Sequence, residues 1–348
     1  MTLSDLLQRT QEWFASLGID TARLDAEVLI AHALEIERIA FYTDGRRPLT
    51  EEEVAACREL VRRRGKREPV AYIVGSREFF SRDFAVDARV LIPRPDTETL
   101  VQLALDWLDG KPSGEVVVEL DTFEEPEFVP ASEPEFVPTE GEIQPGVAVE
   151  IEVDDEAPSE VEDDVEVEHE VEAAPADGRL VLDYGTGSGA IAVTLAAERA
   201  GLRVLAIDLS KEALEVAKAN AGAHAVTDRV GFVASDGFER LPPRFQGQLT
   251  AIVANPPYVP LGDEPTLAPD VREHEPHQAL FAGPDPLLHY RRIAQGAARW
   301  LTPDGFVALE VGAGQAQDVA ALFRGWRDVT IARDLAGIQR VVAARRAR

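Results

Sequence analysis

The sequence has 348 residues, 45% of them hydrophobic, and a formal net charge of −28 at pH 7. This apolar fraction is ordinary for a globular protein, and no stretch approaches the ~20 apolar residues of a membrane-spanning helix. The single cysteine, Cys57, excludes an internal disulfide. Together with an N-terminus unlike a signal peptide, it predicts a cytoplasmic protein with no membrane partner.

The negative charge is concentrated in one segment. Residues 113–178 contain 24 of the 63 acidic residues and no lysine or arginine, so the rest of the chain has 39 acidic and 35 basic residues, a net charge of −4. A near-neutral remainder does not indicate a surface for polyanions. The segment is of low complexity, and its high charge predicts a disordered insertion. An acidic partner-binding segment is the alternative.

The first 67 residues predict a small helical domain. Apolar side chains recur at helical spacing, which predicts helices over about 3–17, 20–34 and 50–64. The basic run Arg62–Arg64 is interpreted as a solvated helix end. Contact with RNA or an acidic partner is the alternative interpretation.

Residues 68–95 predict a β-hairpin that links two domains, with its first strand starting near Tyr72 and a turn at Ser81–Asp83. Pro95 then fixes the start of a helix, because its backbone angle suits the first helical position. This linking helix spans 96–112 and begins the second domain.

From residue 179 onward, strands and helices alternate. Strands are predicted at 180–183, 203–208, 230–234, 249–254, 306–311, 328–332 and 339–343, and helices at 190–199, 211–221, 286–301 and 315–323. This alternation predicts an α/β fold over 179–348, with a mostly parallel, doubly wound sheet of seven strands. Such sheets bind ligands at the carboxyl ends of their strands.

A glycine-rich loop, 183–189, follows the first of these strands and opens a helix. Its glycines let the backbone turn sharply and approach a ligand, and the helix N-terminus favours an anionic group. Asp208 ends the next strand, 19 residues beyond Gly189, where a carboxylate can bind ribose hydroxyls. With Ala190 the loop also fits a dinucleotide pattern, so the loop alone leaves a nicotinamide cofactor open.

The string Asn255-Pro256-Pro257-Tyr258 follows the fourth strand. It offers an amide oxygen, a backbone stiffened by two prolines, and a flat aromatic face with a polar tip. This combination predicts a clamp for a planar nitrogen nucleophile, either an amide or a base. A simple turn cap is the alternative. S-adenosylmethionine-dependent methyltransferases that act on planar nitrogens carry a similar string, and also an acid after the third strand, which resembles Ser235–Phe238 here.

Five further stretches of the sequence resemble the same protein family as the clamp. They are 68–73, 92–98, 270–276, 309–312 and 333–337. On these residues and the clamp, the chain resembles the release-factor glutamine methyltransferase family along its whole length, except for the acidic insertion. The resemblance implies a small helical domain joined to a Rossmann-like methyltransferase domain, with S-adenosyl-L-methionine as cofactor. The implied substrate is the glutamine side chain in the Gly-Gly-Gln motif of class I peptide chain release factors.

The resemblance also implies roles for individual residues. The residues implied to bind the cofactor are Asp183, Gly185, Thr186, Gly187, Ser188, Gly189, Asp208, Asp236, Gly237, Phe238 and Asn255. Those implied to bind the substrate are Asn255, Pro256, Pro257, Tyr258, Arg94 and Glu98. Asn255, Pro256 and Tyr258 are the predicted catalytic residues.

The clamp implies a mechanism. Oxygens of Asn255 and Pro256 accept the two amide N–H groups, so the nitrogen is aimed at the methyl group while carbonyl dipoles stabilise its developing positive charge. Tyr258 packs on the amide plane. No general base is needed, because a methylated, cationic amide is strongly acidic.

Two positions depart from the family's pattern. Tyr184 stands where a small or aliphatic residue is more usual, and Gly237 stands where an aromatic residue is frequent. Phe238 or another apolar side chain is therefore expected to cover the adenine.

Other functions remain open at this stage. A ribosomal-protein glutamine methyltransferase and an adenine-amine nucleic-acid methyltransferase would use the same clamp, and a non-catalytic binding protein could use the acidic segment. The near-neutral remainder predicts no stable nucleic-acid binding. His274 and His277 lack a completing set of ligands, so no metal is predicted.

Overall fold

The computed structural model describes residues 1–111 and 178–347. Except for Gly178, the acidic segment predicted to be an insertion lies outside these residues. Among the helices of the described part, none is long and apolar enough to cross a membrane.

The N-terminal part is helical. It comprises α1 (Leu3–Ser16), α2 (Ala22–Leu34), α3 (Ala40–Thr43), α4 (Glu51–Gly65) and α5 (Val70–Val74). Thr2 and Thr50 begin α1 and α4 with capping boxes, in which the threonine hydroxyl and the carboxylate three residues later each accept a backbone N–H. The apolar faces of the N-terminal helices form one core, which includes the buried Cys57.

A short hairpin follows, made of β1 (Ser76–Phe79) and β2 (Arg82–Ala85). The predicted hairpin is present but starts later, because Tyr72 lies in α5, which ends at Gly75 with a left-handed φ of 81°. Its turn is also one residue earlier than predicted. Phe80 and Ser81 have φ values of 51° and 59°, as in the two-residue turns that match strand twist.

The remaining elements form the α/β part. They are α6 (Pro95–Leu108), β3 (Leu180–Tyr184), α7 (Ala190–Glu198), β4 (Arg203–Asp208), α8 (Lys211–Ala223), β5 (Val230–Ala234), β6 (Leu249–Ala254), β7 (Val259–Pro260), α9 (Pro269–His274), α10 (His277–Leu280), β8 (Phe281–Gly283), α11 (Leu288–Trp300), β9 (Leu301–Glu310), α12 (Ala316–Ala321), β10 (Arg327–Arg333) and β11 (Gln339–Arg345). Short 3-10 turns lie at 243–245 and 261–266.

Within the described residues, seven strands form one sheet in the order β10-β11-β9-β6-β3-β4-β5. The sheet is parallel except for β11, which runs antiparallel to both of its neighbours. The predicted α/β fold is therefore confirmed. β3 pairs with β4 on one side and β6 on the other, so the chain reverses its winding direction there. Ligands bind at such a switch point.

Arg64 contradicts the interpretation of its basic run as a solvated helix end. It is only 4% exposed. Its Nε donates to Asp25 Oδ2 at 2.7 Å, and its Nη1 donates to the Glu68 carbonyl at 3.2 Å and to Asp270 Oδ2 at 3.3 Å. Because Asp270 belongs to α9, this guanidinium joins the N-terminal helices to the α/β part. Arg62, by contrast, forms an exposed pair with Glu59.

We expect Arg64→Met to destabilise the protein by about 3–5 kcal/mol, because it leaves the buried Asp25 carboxylate without its partner. Arg62→Met, on the same helix, is the control and should cause no measurable loss, since exposed pairs contribute little. Denaturant unfolding measures both. Equal stability of the two variants would contradict the structural role of Arg64.

Candidate active site

The glycine-rich loop after β3 presents open backbone. The N–H groups of Gly185 and Thr186 both donate to the Ile207 carbonyl at 2.9 Å, which fastens the loop to β4. Gly185 and Gly187 have φ values of 77° and 54°, and a Cβ on either would meet nothing within 4 Å. Glycine is therefore required here by the left-handed backbone, and the space above the loop is left for a ligand.

Asp183 lies beneath this loop. It is fully buried, and its Oδ2 accepts from the Thr186 hydroxyl at 2.6 Å and from the Ala192 N–H at 3.0 Å. Its Oδ1 has no hydrogen-bond partner among the described residues. Burial raises the pKa of Asp183 to about 7. The carboxyl group thus holds the loop against α7 from below.

Ser188 and Gly189, at the end of the loop, also face the protein. The Ser188 carbonyl accepts from Asn220 Nδ2 at 2.8 Å, and the same amide exchanges hydrogen bonds with the Ala85 backbone at 2.8 and 3.0 Å. Asn220 therefore ties the loop to the hairpin. Sequence reasoning missed Asn220, which is 1% exposed. Its helical spacing from the apolar Val216 and Ala217 is the signal that could have placed it on the buried face of α8.

A cleft opens above the loop, at the strand ends where ligands bind in sheets of this kind. Seven predicted site residues line it: Gly185, Gly187, Asp208, Asp236, Gly237, Asn255 and Pro257. Unpredicted wall residues include Leu91, Ile207, Leu209, Ala279 and His289. The structure thus brings together residues from the ends of four strands.

Asp208 is fixed as a hydrogen-bond acceptor at the wall of this cleft. Its Oδ2 accepts from the Gly187 N–H at 2.8 Å and its Oδ1 from the Ser210 N–H at 2.9 Å. Burial raises its pKa, while these backbone donors oppose that shift. A carboxylate held in this way has lone pairs left for ligand hydroxyls.

Asp236 also lines the cleft, but its carboxylate is paired. Arg292 of α11 donates to both of its oxygens, at 3.0 and 3.2 Å. Sequence reasoning missed Arg292, because nothing in its local sequence distinguishes it from a surface arginine.

Tyr184 and Gly237, the two departures from the family's pattern, compensate each other. A Cβ on Gly237 would lie 2.3 Å from the Tyr184 hydroxyl oxygen, so the tyrosine fills the space that a side chain at 237 would take. Tyr184 lines the cleft. Phe238 does not, because its ring stacks on Trp300 at 6.0 Å between centroids and 18° between planes. The aromatic ring that lines the cleft is therefore that of Tyr184 and not the expected ring of Phe238.

The clamp follows β6 and is held from both sides. Asn255 Nδ2 donates to Thr97 Oγ1 at 3.1 Å. The Tyr258 carbonyl accepts from Gln315 Nε2 at 3.0 Å, and burial raises the pKa of its phenol to about 12, so the ring is neutral. Pro256 is buried. Pro256 and Tyr258 lie outside the cleft wall, next to its Asn255 and Pro257.

Arg94 and Glu98 both have partners within the chain. Arg94 forms an ion pair with Glu275, which is 3% exposed and also accepts from the Ile92 N–H at 3.2 Å. Burial raises the pKa of Glu275. Glu98 accepts from the Phe80 N–H at 3.0 Å. Both side chains thus fasten the linker around the site, and neither lines the cleft.

His274 and His277, the two histidines considered as metal ligands, contact backbone carbonyl groups instead. His274 Nε2 lies 3.4 Å from the Lys66 carbonyl and His277 Nε2 lies 3.2 Å from the Arg272 carbonyl. Over residues 1–111 and 178–347, no cluster of three or more His, Cys, Asp or Glu side chains could hold a metal ion.

Two family models match this chain: the PrmC N-terminal domain over residues 5–75 and the methyltransferase small domain over residues 168–268. A release factor glutamine methyltransferase from Nitratidesulfovibrio vulgaris is 35% identical over 99% of this chain and 95% of its own length. One from Geobacter sulfurreducens is 34% identical over 99% and 96%. Among solved structures, TrmN from Thermus thermophilus is 26% identical over 49% of this chain and 44% of its own, with a TM-score of 0.35.

The fit between Tyr184 and Gly237 predicts a strong coupling in a double-mutant cycle. We expect Gly237→Ala to cost about 2–4 kcal/mol of stability, from backbone strain plus overpacking against the tyrosine. In a Tyr184→Ala background the same change should cost only about 1 kcal/mol, because the strain alone remains. Denaturant unfolding of the four proteins measures this. An identical cost in both backgrounds would show that the two positions are independent.

Proposed function

This chain belongs to the release factor glutamine methyltransferase family, and we propose that it methylates the side-chain amide of the glutamine in the Gly-Gly-Gln motif of class I peptide chain release factors. The observation that carries this proposal is the likeness to release factor glutamine methyltransferases over 99% of the chain, since the clamp Asn255-Pro256-Pro257-Tyr258 alone fits an amide or a base. A release factor is then the protein partner, and the reaction takes place in the cytoplasm, where translation terminates.

The enzyme is an S-adenosylmethionine-dependent methyltransferase. The cleft fits this cofactor, because it combines open glycine backbone with a fixed carboxylate at Asp208. Asp208 would hold the ribose hydroxyls, and Tyr184 would offer its ring to the adenine. When bound, S-adenosylmethionine supplies a methyl group that the neighbouring sulfonium charge has already activated.

The chain's task is then to position a weak nucleophile. An amide nitrogen is a poor nucleophile because its lone pair is delocalised into the carbonyl. Asn255 Nδ2 is occupied by Thr97, so the amide oxygen is left to accept one substrate N–H. The Pro256 carbonyl would accept the other, and the neutral Tyr258 ring would pack on the amide plane. Two carbonyl dipoles aimed at the nitrogen stabilise its developing positive charge.

A pair of variants separates the two halves of the site. We expect Asn255→Ala to lower methyl transfer by about 10²–10³-fold, as for loss of a preorganised dipole, with the Kd for S-adenosylmethionine unchanged within about twofold. Asp208→Ala should instead weaken cofactor binding by about tenfold or more, since it removes a charge-assisted hydrogen bond. Isothermal titration and labelled methyl transfer measure these effects. Equal loss of cofactor affinity in both variants would contradict this division of roles.

The substrate is tested by competition. Labelled cofactor is supplied with purified release factor, ribosomal protein, total RNA and DNA side by side. We expect label on the release factor, and none on a release factor whose Gly-Gly-Gln glutamine is replaced by glutamate. Label on nucleic acid or ribosomal protein, and not on the factor, would overturn the proposed substrate.

A further inference from the structure

Thr97 lies between two polar side chains from neighbouring strands of the sheet. Its hydroxyl accepts from Asn255 Nδ2 at 3.1 Å and donates to Glu310 Oε2 at 2.6 Å. Thr97 is 5% exposed and Glu310 is 1% exposed. The three side chains, from α6, the end of β6 and the end of β9, therefore form a hydrogen-bond chain that runs from the buried Glu310 to Asn255 at the cleft.

The direction of this chain depends on whether its buried end, Glu310, is ionised. A carboxylate can only accept hydrogen bonds, and a hydroxyl has a single proton to give. When that proton goes to Glu310, the Thr97 oxygen can only accept from Asn255. The amide must then turn its Nδ2 toward Thr97, which leaves Oδ1 for the cleft.

This orientation matters because the two ends of an asparagine amide are nearly identical in shape but opposite in hydrogen-bonding role. An amide turned the other way would present N–H groups to the substrate's N–H groups and could not hold them. Because the two orientations of the Asn255 amide have nearly the same shape, packing alone favours neither of them. A chain of defined polarity discriminates strongly, since an unsatisfied buried donor or acceptor is costly.

We propose that Glu310 and Thr97 are positioning residues, which hold Asn255 with its amide oxygen toward the substrate nitrogen. This role rests on the proposed methyl transfer to an amide. Neither side chain lines the cleft, so both act through Asn255.

A titration follows from the same geometry. Burial raises the pKa of Glu310 to about 7, and the Thr97 hydroxyl opposes this shift. The other ionisable groups that face it are Arg340 of β11, Asp96 of α6, Arg94 before α6, Tyr258 after β6 and Tyr290 of α11. A protonated Glu310 can donate to Thr97, which frees the hydroxyl to donate to Asn255 and reverses the chain. We therefore expect kcat to fall as the pH drops below about 7.

The first test removes the hydroxyl and keeps the shape. Thr97→Val should lower kcat for methyl transfer to the release factor by about 10²-fold, as for a misplaced positioning group, with an unchanged Kd for S-adenosylmethionine. Thr97→Ser keeps the hydroxyl and should remain within about threefold of the wild type, given the small cost of losing one methyl group. Thr194→Val in α7 is the matched control, because Thr194 is also buried but its hydroxyl has no hydrogen-bond partner among the described residues.

The second test uses the pH profile. Glu310→Gln cannot titrate, so the decline in kcat below pH 7 should disappear in this variant, while Thr194→Val keeps it. Thermal melting of every variant checks that the fold is retained.

The outcomes are distinguishable. A wild-type enzyme that transfers no methyl to the release factor contradicts the proposed function itself. An active wild type with an equally active Thr97→Val variant overturns the positioning role alone. So does an equal loss of kcat in Thr97→Ser and Thr97→Val, or a low-pH decline that persists in Glu310→Gln.

Discussion

Buried carboxyl groups hold the ligand-binding edge of this sheet together. A carboxylate removed from water is costly unless donors surround it, and each one here binds a segment that has to stay in place. Asp183 holds the glycine-rich loop, the half-buried Asp208 holds that loop and the start of α8, and Glu310 holds Thr97. Glu275 does the same for the segment before α6. The burial that raises their pKa values is therefore the same constraint that shapes the site.

Much of the fold could be predicted from the sequence because its strands and helices have clear hydrophobic periods. The bounds of β4, β5 and β6 agree with the prediction to the residue. The region between the clamp and α11 could not be predicted, since β7, β8, α9 and α10 are too short to show a period.

In the candidate site, the positions of residues next to strand ends could be predicted from the sequence. Residues at or next to a strand end, such as Asp208 and Asn255, line the cleft, and their roles stay predictions. Contacts between distant parts of the sequence were not predictable. Arg64 reaches Asp270 over a separation of 206 residues, and no spacing rule distinguishes it from its exposed neighbour Arg62. In the sequence, Tyr184 and Gly237 are two unrelated departures from the family's pattern. The structure shows that they are neighbours, and that the Tyr184 side chain fills the space that a side chain at position 237 would occupy.

The described residues on either side of the acidic segment are joined by hydrogen bonds and an ion pair. Arg179 Nη1 donates to the Leu108 carbonyl at 2.8 Å, so the start of β3 is fastened to the end of α6. Arg199 and Asp109 form a further pair there, at 2.7 Å. The amino end of β3 is the opposite end of the strand from the glycine-rich loop. The cost of closing a loop grows slowly with its length, and with its ends joined in this way the chain between them can lengthen without shifting the strand. The acidic segment thus meets the sheet at the edge opposite the glycine-rich loop and the clamp, which both follow carboxyl ends of strands.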